Sequence, residues 1–375
     1  MKNWLTAIGL VLVFSIVLIG AAYAQGDIKV VSSDAQPTFA KDITFRLVAE
    51  SSSPITEISV LYRDALEAAT NRAYPKFTPG KHVEAEYSWE LLPGELPVGA
   101  NIRYYWLIKD ADGHELKTQP QFVQYNDDRF TWKEKSAGKV QMYYYAADDQ
   151  RADELLKVAT AALDRIGTQI GVRPQQPIKI YVYNSKDDMS DALVSRSTTY
   201  DAFTTTLGVV VAKDTLLLLG SAAGVEQTAA HELTHIVVGE ATSNPFHAPI
   251  PRWLDEGLAM YNEGSLPDYN RRALQQAIAD DKLISVRSLS AYTGDPGLVD
   301  LFYGESYSIV KYILDTYGRD KMVQLLGVFR RGAYQEDALQ EVFGFGLDQL
   351  DAKWRQSVGA KPRQPEPAAP GSTEA

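Results

Sequence analysis

Cysteine is absent from all 375 residues, and histidine is scarce, with five. Without thiols there is no disulfide scaffold, no Cys-ligated zinc, no iron–sulfur cluster and no thiol nucleophile. Positive charge is also in deficit: 37 Lys and Arg stand against 48 Asp and Glu, a net charge of −11. That balance argues against a nucleic-acid partner and against a basic membrane-surface protein. With 26 Gly and 18 Pro, neither residue is abundant enough for a collagenous or wholly disordered chain. Beyond the N-terminal segment no apolar run is long enough to span a bilayer. Any chemistry therefore falls to His, carboxylates, Tyr, Ser, Thr or a bound metal.

What is present is an ordinary globular composition, 45% hydrophobic and 23% charged. At roughly 100–200 residues per domain the length implies two or three domains. Residues 1–24 read as a signal peptide. Lys2 supplies a short positive region, Leu5 to Ile19 an apolar run, and Ala22-Tyr23-Ala24 a small-x-small cleavage pattern that leaves Gln25 first. A retained anchor stays open as the alternative, since Leu5 to Ala24 is just long enough to cross a bilayer. On either reading the bulk of the chain is extracytoplasmic, whether secreted, periplasmic or on the cell surface.

Residues 27–125 read as a β-sandwich of immunoglobulin-like or fibronectin-like type. Short β-branched or aromatic stretches at 28–31, 43–49, 55–62, 84–91, 102–109 and 122–125 are separated by turn clusters such as Ser51-Ser52-Ser53-Pro54 and Asp112-Gly113. In the fifth stretch Ile102, Tyr104, Trp106 and Ile108 share one face. His82 and His114 fall in turns and are expected in solvent. Asn126–Ala137 reads as a polar bridge. After it come a strand near 139–146, a helix capped by Asp148 or Asp149, a strand at 178–183, and a hairpin of 207–212 with 216–219 turned at Lys213-Asp214. A helix begins near Val225. Residues 138–268 form one expected domain of α+β type, and 269–358 a helical subdomain punctuated by glycines. Residues 359–375, Lys-Pro-Arg-Gln-Pro-Glu-Pro and beyond, read as a disordered Pro-rich tail.

His231-Glu232-Leu233-Thr234-His235 carries the chemical signal. On a helix, residues i and i+4 stack on one face, so both imidazoles can point at one ion. Glu232 then sits where its carboxylate reaches a metal-bound water rather than the metal. With so few histidines this spacing arises by chance on the order of 0.4% of the time. The segment 227–239 lacks proline, and Gly239 suits a C-cap. A catalytic zinc site needs a third ligand and an open position. Glu256, in Trp253-Leu254-Asp255-Glu256-Gly257-Leu258-Ala259, offers the carboxylate, with Asp255 as its competitor about 100° away on the same helix. Gly257 is expected to let this helix approach the His helix closely.

His-Glu-x-x-His followed by Trp-Leu-x-Glu-Gly-x-Ala resembles the gluzincin zinc metallopeptidases, and within them the short peptidase MA-like branch. The likeness covers roughly 139–358 and implies a thermolysin-like zincin fold and a peptide or protein substrate. It also implies one catalytic zinc on His231, His235 and Glu256, with Glu232 as general base. Val238 and Ala241 stand where a metzincin would need Gly and His. Phe302-Tyr303-Gly304-Glu305-Ser306-Tyr307, ahead of an apolar helix, is similar to the segment that carries an oxyanion-steadying tyrosine. Tyr303 is the candidate and Tyr307 the runner-up. The Gly-x-Met-x-Asn loop of exopeptidase members is absent upstream of His231, which favours an endopeptidase or a degenerate enzyme.

Asp255, Glu240 and Glu263 are all candidates to orient the two imidazoles. The stretch 216–219 is expected at a sheet edge, able to pair with a substrate backbone. His247, in a Pro-rich loop, reads as a surface residue. The competing reading is a non-catalytic cell-surface binding or structural protein on a zincin scaffold. A monomer is favoured, and membrane contact is expected only through an uncleaved N-terminal segment.

Overall fold

The computed structural model describes residues 28–145, 149–193, 207–246 and 248–363. The chain divides into two compact units, the first made of residues up to 37, 42–90 and 101–124, the second of 38–41, 91–100 and 125 onward. No helix among the described residues is long and apolar enough to cross a membrane.

The described part of the first unit is all β. Its strands are β1 (Lys29–Thr38), β2 (Asp42–Asp64), β3 (Asn71–Ala73), β4 (Gly80–Glu90), β5 (Ala100–Asp110), β6 (Glu115–Lys117) and β7 (Gln121–Tyr125). The order β1-β2-β5-β6 forms the spine of one sheet, with β3 and β4 on β2 and β7 on β5. Two expected strands, 43–49 and 55–62, are in fact one. Ser51 to Pro54 is an irregularity inside β2, where pairing passes from β4 to β5. Two of the serines that signal a turn, Ser51 and Ser53, are here buried, and Ser51 Oγ donates to Asp110 Oδ2 at 2.9 Å. Phe45 from the first half of β2 lies 5.2 Å from the rings of Tyr62, in its second half, and Tyr104 of β5. Ile102, Tyr104, Trp106 and Ile108 are all buried, as their alternation requires. His82 lies within β4 rather than in a turn, its exposed ring facing Glu50 at 3.1 Å. His114 is half exposed and pairs with Asp110.

The second unit is α+β. Its sheet has the order β11-β12-β10-β9-β8, made of β8 (Lys133–Ala137), β9 (Val140–Tyr144), β10 (Ile178–Tyr183), β11 (Gly208–Ala212) and β12 (Thr215–Leu219). The inner pairs β9·β10 and β10·β12 are parallel, and the outer pairs antiparallel. Two expectations change here. The stretch 126–137 is not a mere polar bridge: its end is β8, an edge strand whose Lys and Glu side chains suit an exposed edge. And β12 is not an edge. All five of its residues, Thr-Leu-Leu-Leu-Leu, are buried between β10 and β11, so β11 is the edge on that side. A run apolar on both faces marks an interior strand.

Around the sheet lie α1 (Asp149–Ile170), α2 (Lys186–Ser190), α3 (Val225–Thr242), α4 (Arg252–Asn262), α5 (Asp268–Ala279), α6 (Val299–Tyr317), α7 (Arg319–Arg330), α8 (Gln335–Phe343) and α9 (Leu347–Ser357). One continuous apolar core runs from Val140 through α3 and α4 to Trp354. Gly239 does not end α3; the helix continues to Thr242 because Val238 and Ala241 are buried along with it. The first residues of the expected tail are tied down. Lys361 O accepts from Arg355 Nε, and Arg363 pairs with Asp351 at 3.1 Å.

Candidate metal centre

The helices α3 and α4 bring the sequence-predicted ligands together. His231 and His235 lie one turn apart on α3, and Glu256 comes from the second turn of α4. Ligand atoms from all three fall within 4.8 Å of one another. His231 Nε2 is 3.4 Å and His235 Nε2 3.6 Å from the same oxygen, Glu256 Oε2. Glu256 is only 3% exposed, its carboxylate turned away from solvent. Its neighbour Asp255 points elsewhere, as the helical turn angle requires.

The far side of each imidazole is held by a carboxylate. Glu263 Oε1 meets His231 Nδ1 at 2.6 Å, and Asp255 Oδ1 meets His235 Nδ1 at 2.9 Å. Of the three candidates for this role, Glu240 drops out: it accepts from the backbone N–H of Gln175. An ionised carboxylate only accepts, so each Nδ1 donates and each neutral ring presents a lone pair at Nε2. Two Nε2 lone pairs and a buried Oε2 without a hydrogen-bond partner thus converge on one point. Such a set of acceptors requires positive charge between them, from protons or from a cation. Burial opposes a charge on His231, but Glu256 and Glu263 outweigh burial and lift its pKa to about 9. His235 is raised in the same way by Asp255 and Glu256. Burial would raise Glu256, yet the two histidines hold it well below the usual carboxylate range. A His2Glu donor set with carboxylate-backed imidazoles fits a divalent zinc ion.

Glu232 stands beside this cluster and outside it. Its Oε2 accepts the backbone N–H of Val210 on the edge strand β11 at 3.1 Å. Gly208 of the same strand makes that approach feasible, because a Cβ there would lie 2.6 Å from Thr228 Cγ2 and 3.0 Å from Glu232 Cγ. The cluster opens into a cleft of about 960 Å³ lined by Gly208, Val210, Glu232, Arg252, Tyr269, Tyr292 and Tyr303 as well as the metal-site residues. Tyr303 therefore reaches the cleft, although it lies inside α6 rather than ahead of it. Tyr307 is not among the lining residues and stacks near Tyr261. His247 lies outside the described residues.

The family model of the Peptidase MA superfamily matches residues 158–360, more than half of the chain, from α1 through α9. The chain belongs to the Peptidase MA superfamily. Within this superfamily member the matched region contains α3, α4 and the whole ligand set. Among solved structures it is similar to an M1 zinc metallopeptidase from Deinococcus radiodurans, with 13% identity over 92% of this chain and 96% of that one and a TM-score of 0.40. A catalytically inactive OgpA from Akkermansia muciniphila, in complex with an O-glycopeptide substrate, matches at 12% identity and a TM-score of 0.20. That likeness takes in 28% of this chain and 30% of OgpA. No curated protein matches.

Gly257 serves a different helix from the one expected. A Cβ on it would lie 2.3 Å from Ser306 O and 2.6 Å from Val310 Cγ2, so the glycine lets α4 press onto α6, not onto the His helix. Arg165 of α1 secures the other end of α4, donating to Asn262 Oδ1 at 2.9 Å and to Asn262 O at 2.8 Å. Sequence reasoning missed one residue at the centre altogether. Tyr292, in the loop before α6, donates its hydroxyl to Glu256 Oε1 at 2.5 Å. Burial and the nearby Glu256 push this phenol up, so it stays a donor. It belongs to no motif, and among 21 tyrosines nothing marks it.

Proposed function

We propose that this chain is an exported zinc peptidase that hydrolyses peptide bonds with Glu232 as general base. The observation that carries the reading is the convergence of three acceptor atoms, each backed by its own hydrogen bond, beside an open cleft that also holds Glu232. His231, His235 and Glu256 would hold the metal. Bound there, zinc supplies Lewis acidity, bringing the pKa of a water toward 7 and polarising a carbonyl.

The chain's own residues do the rest. Glu232, anchored by Val210 N–H, accepts a proton from the attacking water and passes it to the leaving amine. Asp255 and Glu263 each accept the Nδ1 proton of an imidazole, fixing its tautomer, and so aim the two Nε2 atoms at the metal. Tyr303, which lines the cleft, is the proposed donor to the oxyanion. The edge strand β11 lines the same cleft through Gly208 and Val210, which suits an extended peptide and, with no exopeptidase loop in the sequence, an endopeptidase. Export rests on the N-terminal leader pattern, and the substrate class on the chemistry of the site.

Glu232→Gln tests the assignment. The amide keeps the side chain's shape and cannot take a proton. The variant is expected to bind one zinc like the wild type and to lose about 10²–10⁴-fold in turnover of a peptide library. Undiminished turnover with zinc retained would reject Glu232 as the base.

A further inference from the structure

Glu256 presents only one of its two oxygens to the metal site. Oε2 faces both imidazole Nε2 atoms, at 3.4 and 3.6 Å, while Oε1 is occupied by the Tyr292 hydroxyl. Tyr292 reaches it from a loop 36 residues further along the chain. Its ring is held in place by two neighbours. Phe302 of α6 lies 5.6 Å away, and the Arg252 guanidinium sits over the ring at 4.8 Å from its centroid. Arg252 Nη1 also donates to Asp255 Oδ2 at 3.2 Å, and Asp255 Oδ1 in turn holds His235 Nδ1. One cation therefore links the tyrosine behind Glu256 to the carboxylate behind His235.

A carboxylate with both oxygens free can bind a cation through two atoms and fill a coordination position that water or substrate needs. A hydrogen bond fixed on one oxygen removes that mode. We infer that Tyr292 is a positioning residue that holds Glu256 to single-oxygen ligation and so keeps the metal open to water and substrate. The inference rests on the metallopeptidase reading above and adds a residue that no part of the metal motif contains.

Cobalt(II), which fills zinc sites and absorbs visible light according to its coordination number, is the probe. Full-length wild type and Tyr292→Phe are stripped of metal and titrated with cobalt. Both are expected to take up one ion. In the variant the visible band loses intensity, the mark of an added ligand atom, and kcat of the zinc-loaded form falls about tenfold or more while KM stays within about twofold. Restoring a donor with Tyr292→His recovers part of the band. A Tyr292→Phe band of wild-type intensity overturns the inference, whatever the activity does. A wild type that binds neither cobalt nor zinc overturns the metal reading itself, and that failure is visible before any variant is compared.

Discussion

At the scale of single residues, the candidate metal ligands owe their geometry to partners outside the ligand set. Glu263 and Asp255 each accept from an imidazole Nδ1, and removing either acceptor's charge frees a ring to rotate and change tautomer. Glu263→Gln and Asp255→Asn are each expected to weaken zinc binding about 10–100-fold, read by competition with a chromogenic chelator. Equal affinities in wild type and both variants would show that packing alone orients the rings. The sequence made the ligands legible because His-Glu-x-x-His and Trp-Leu-x-Glu-Gly are local patterns on two helices. The partners were only partly legible. Asp255 and Glu263 lay on the same helix or at its end, within the range of candidates, whereas Tyr292 depends on how a distant loop folds back.

At the scale of elements, Glu256, the candidate third ligand, is placed by a close helix crossing. The α4–α6 contact is built on Gly257, with Ser306 O and Val310 Cγ2 where a side chain would go. Backbone atoms cannot give way as a flexible side chain can. Gly257→Ala is therefore expected to cost about 1–3 kcal/mol, measured by denaturant unfolding, and to weaken zinc binding as α4 is pushed off α6. Unchanged stability would mean that the two helices separate freely. Strand and helix types followed from periodicity in most places: β10 ends where its alternation ends, and α3 begins at Val225. Failures occurred where context overrode local signals. Ser51 of β2 satisfies its hydroxyl inside a sheet, Gly239 sits within the last turn of α3 rather than past its end, and the charged run that became β8 gains its partner from β9. The position of β12 inside the sheet is a fact of topology that its five residues hint at by being uniformly buried.

At the scale of the whole molecule, the helical region carries a buried acid that couples its stability to pH. Glu305 of α6 is fully buried; its Oε1 accepts from Ile284 N–H at 2.9 Å and its Oε2 has no hydrogen-bond partner. Burial pushes this carboxyl up to about 8 from an ordinary 4.5, against the smaller pull of the Ile284 N–H and then of Arg363 and Arg355. The folded chain thus keeps a proton that the unfolded chain releases. Between pH 4.5 and 8 the unfolded state binds fewer protons, so the contribution of this group to stability falls as pH rises through that window. Glu305→Gln is expected to flatten the slope and to stabilise the protein by roughly a few kcal/mol at pH 8, with little change at pH 4. Parallel slopes in thermal melts of the two proteins across that range would refute the assignment.

The same core that buries Glu305 runs on past α4 to Trp354, nearly a hundred residues beyond the last ligand. This has a consequence in time. A chain grows from its N-terminus, so both histidines and Glu256 exist before Tyr292, before Ser306 and before α9. During that interval the ligands lack both the hydroxyl that orients Glu256 and the helix that backs Gly257. Any metal that the site takes is then expected late in biogenesis, once the loop that bears Tyr292 and the helix α6 have joined candidate ligands made before them.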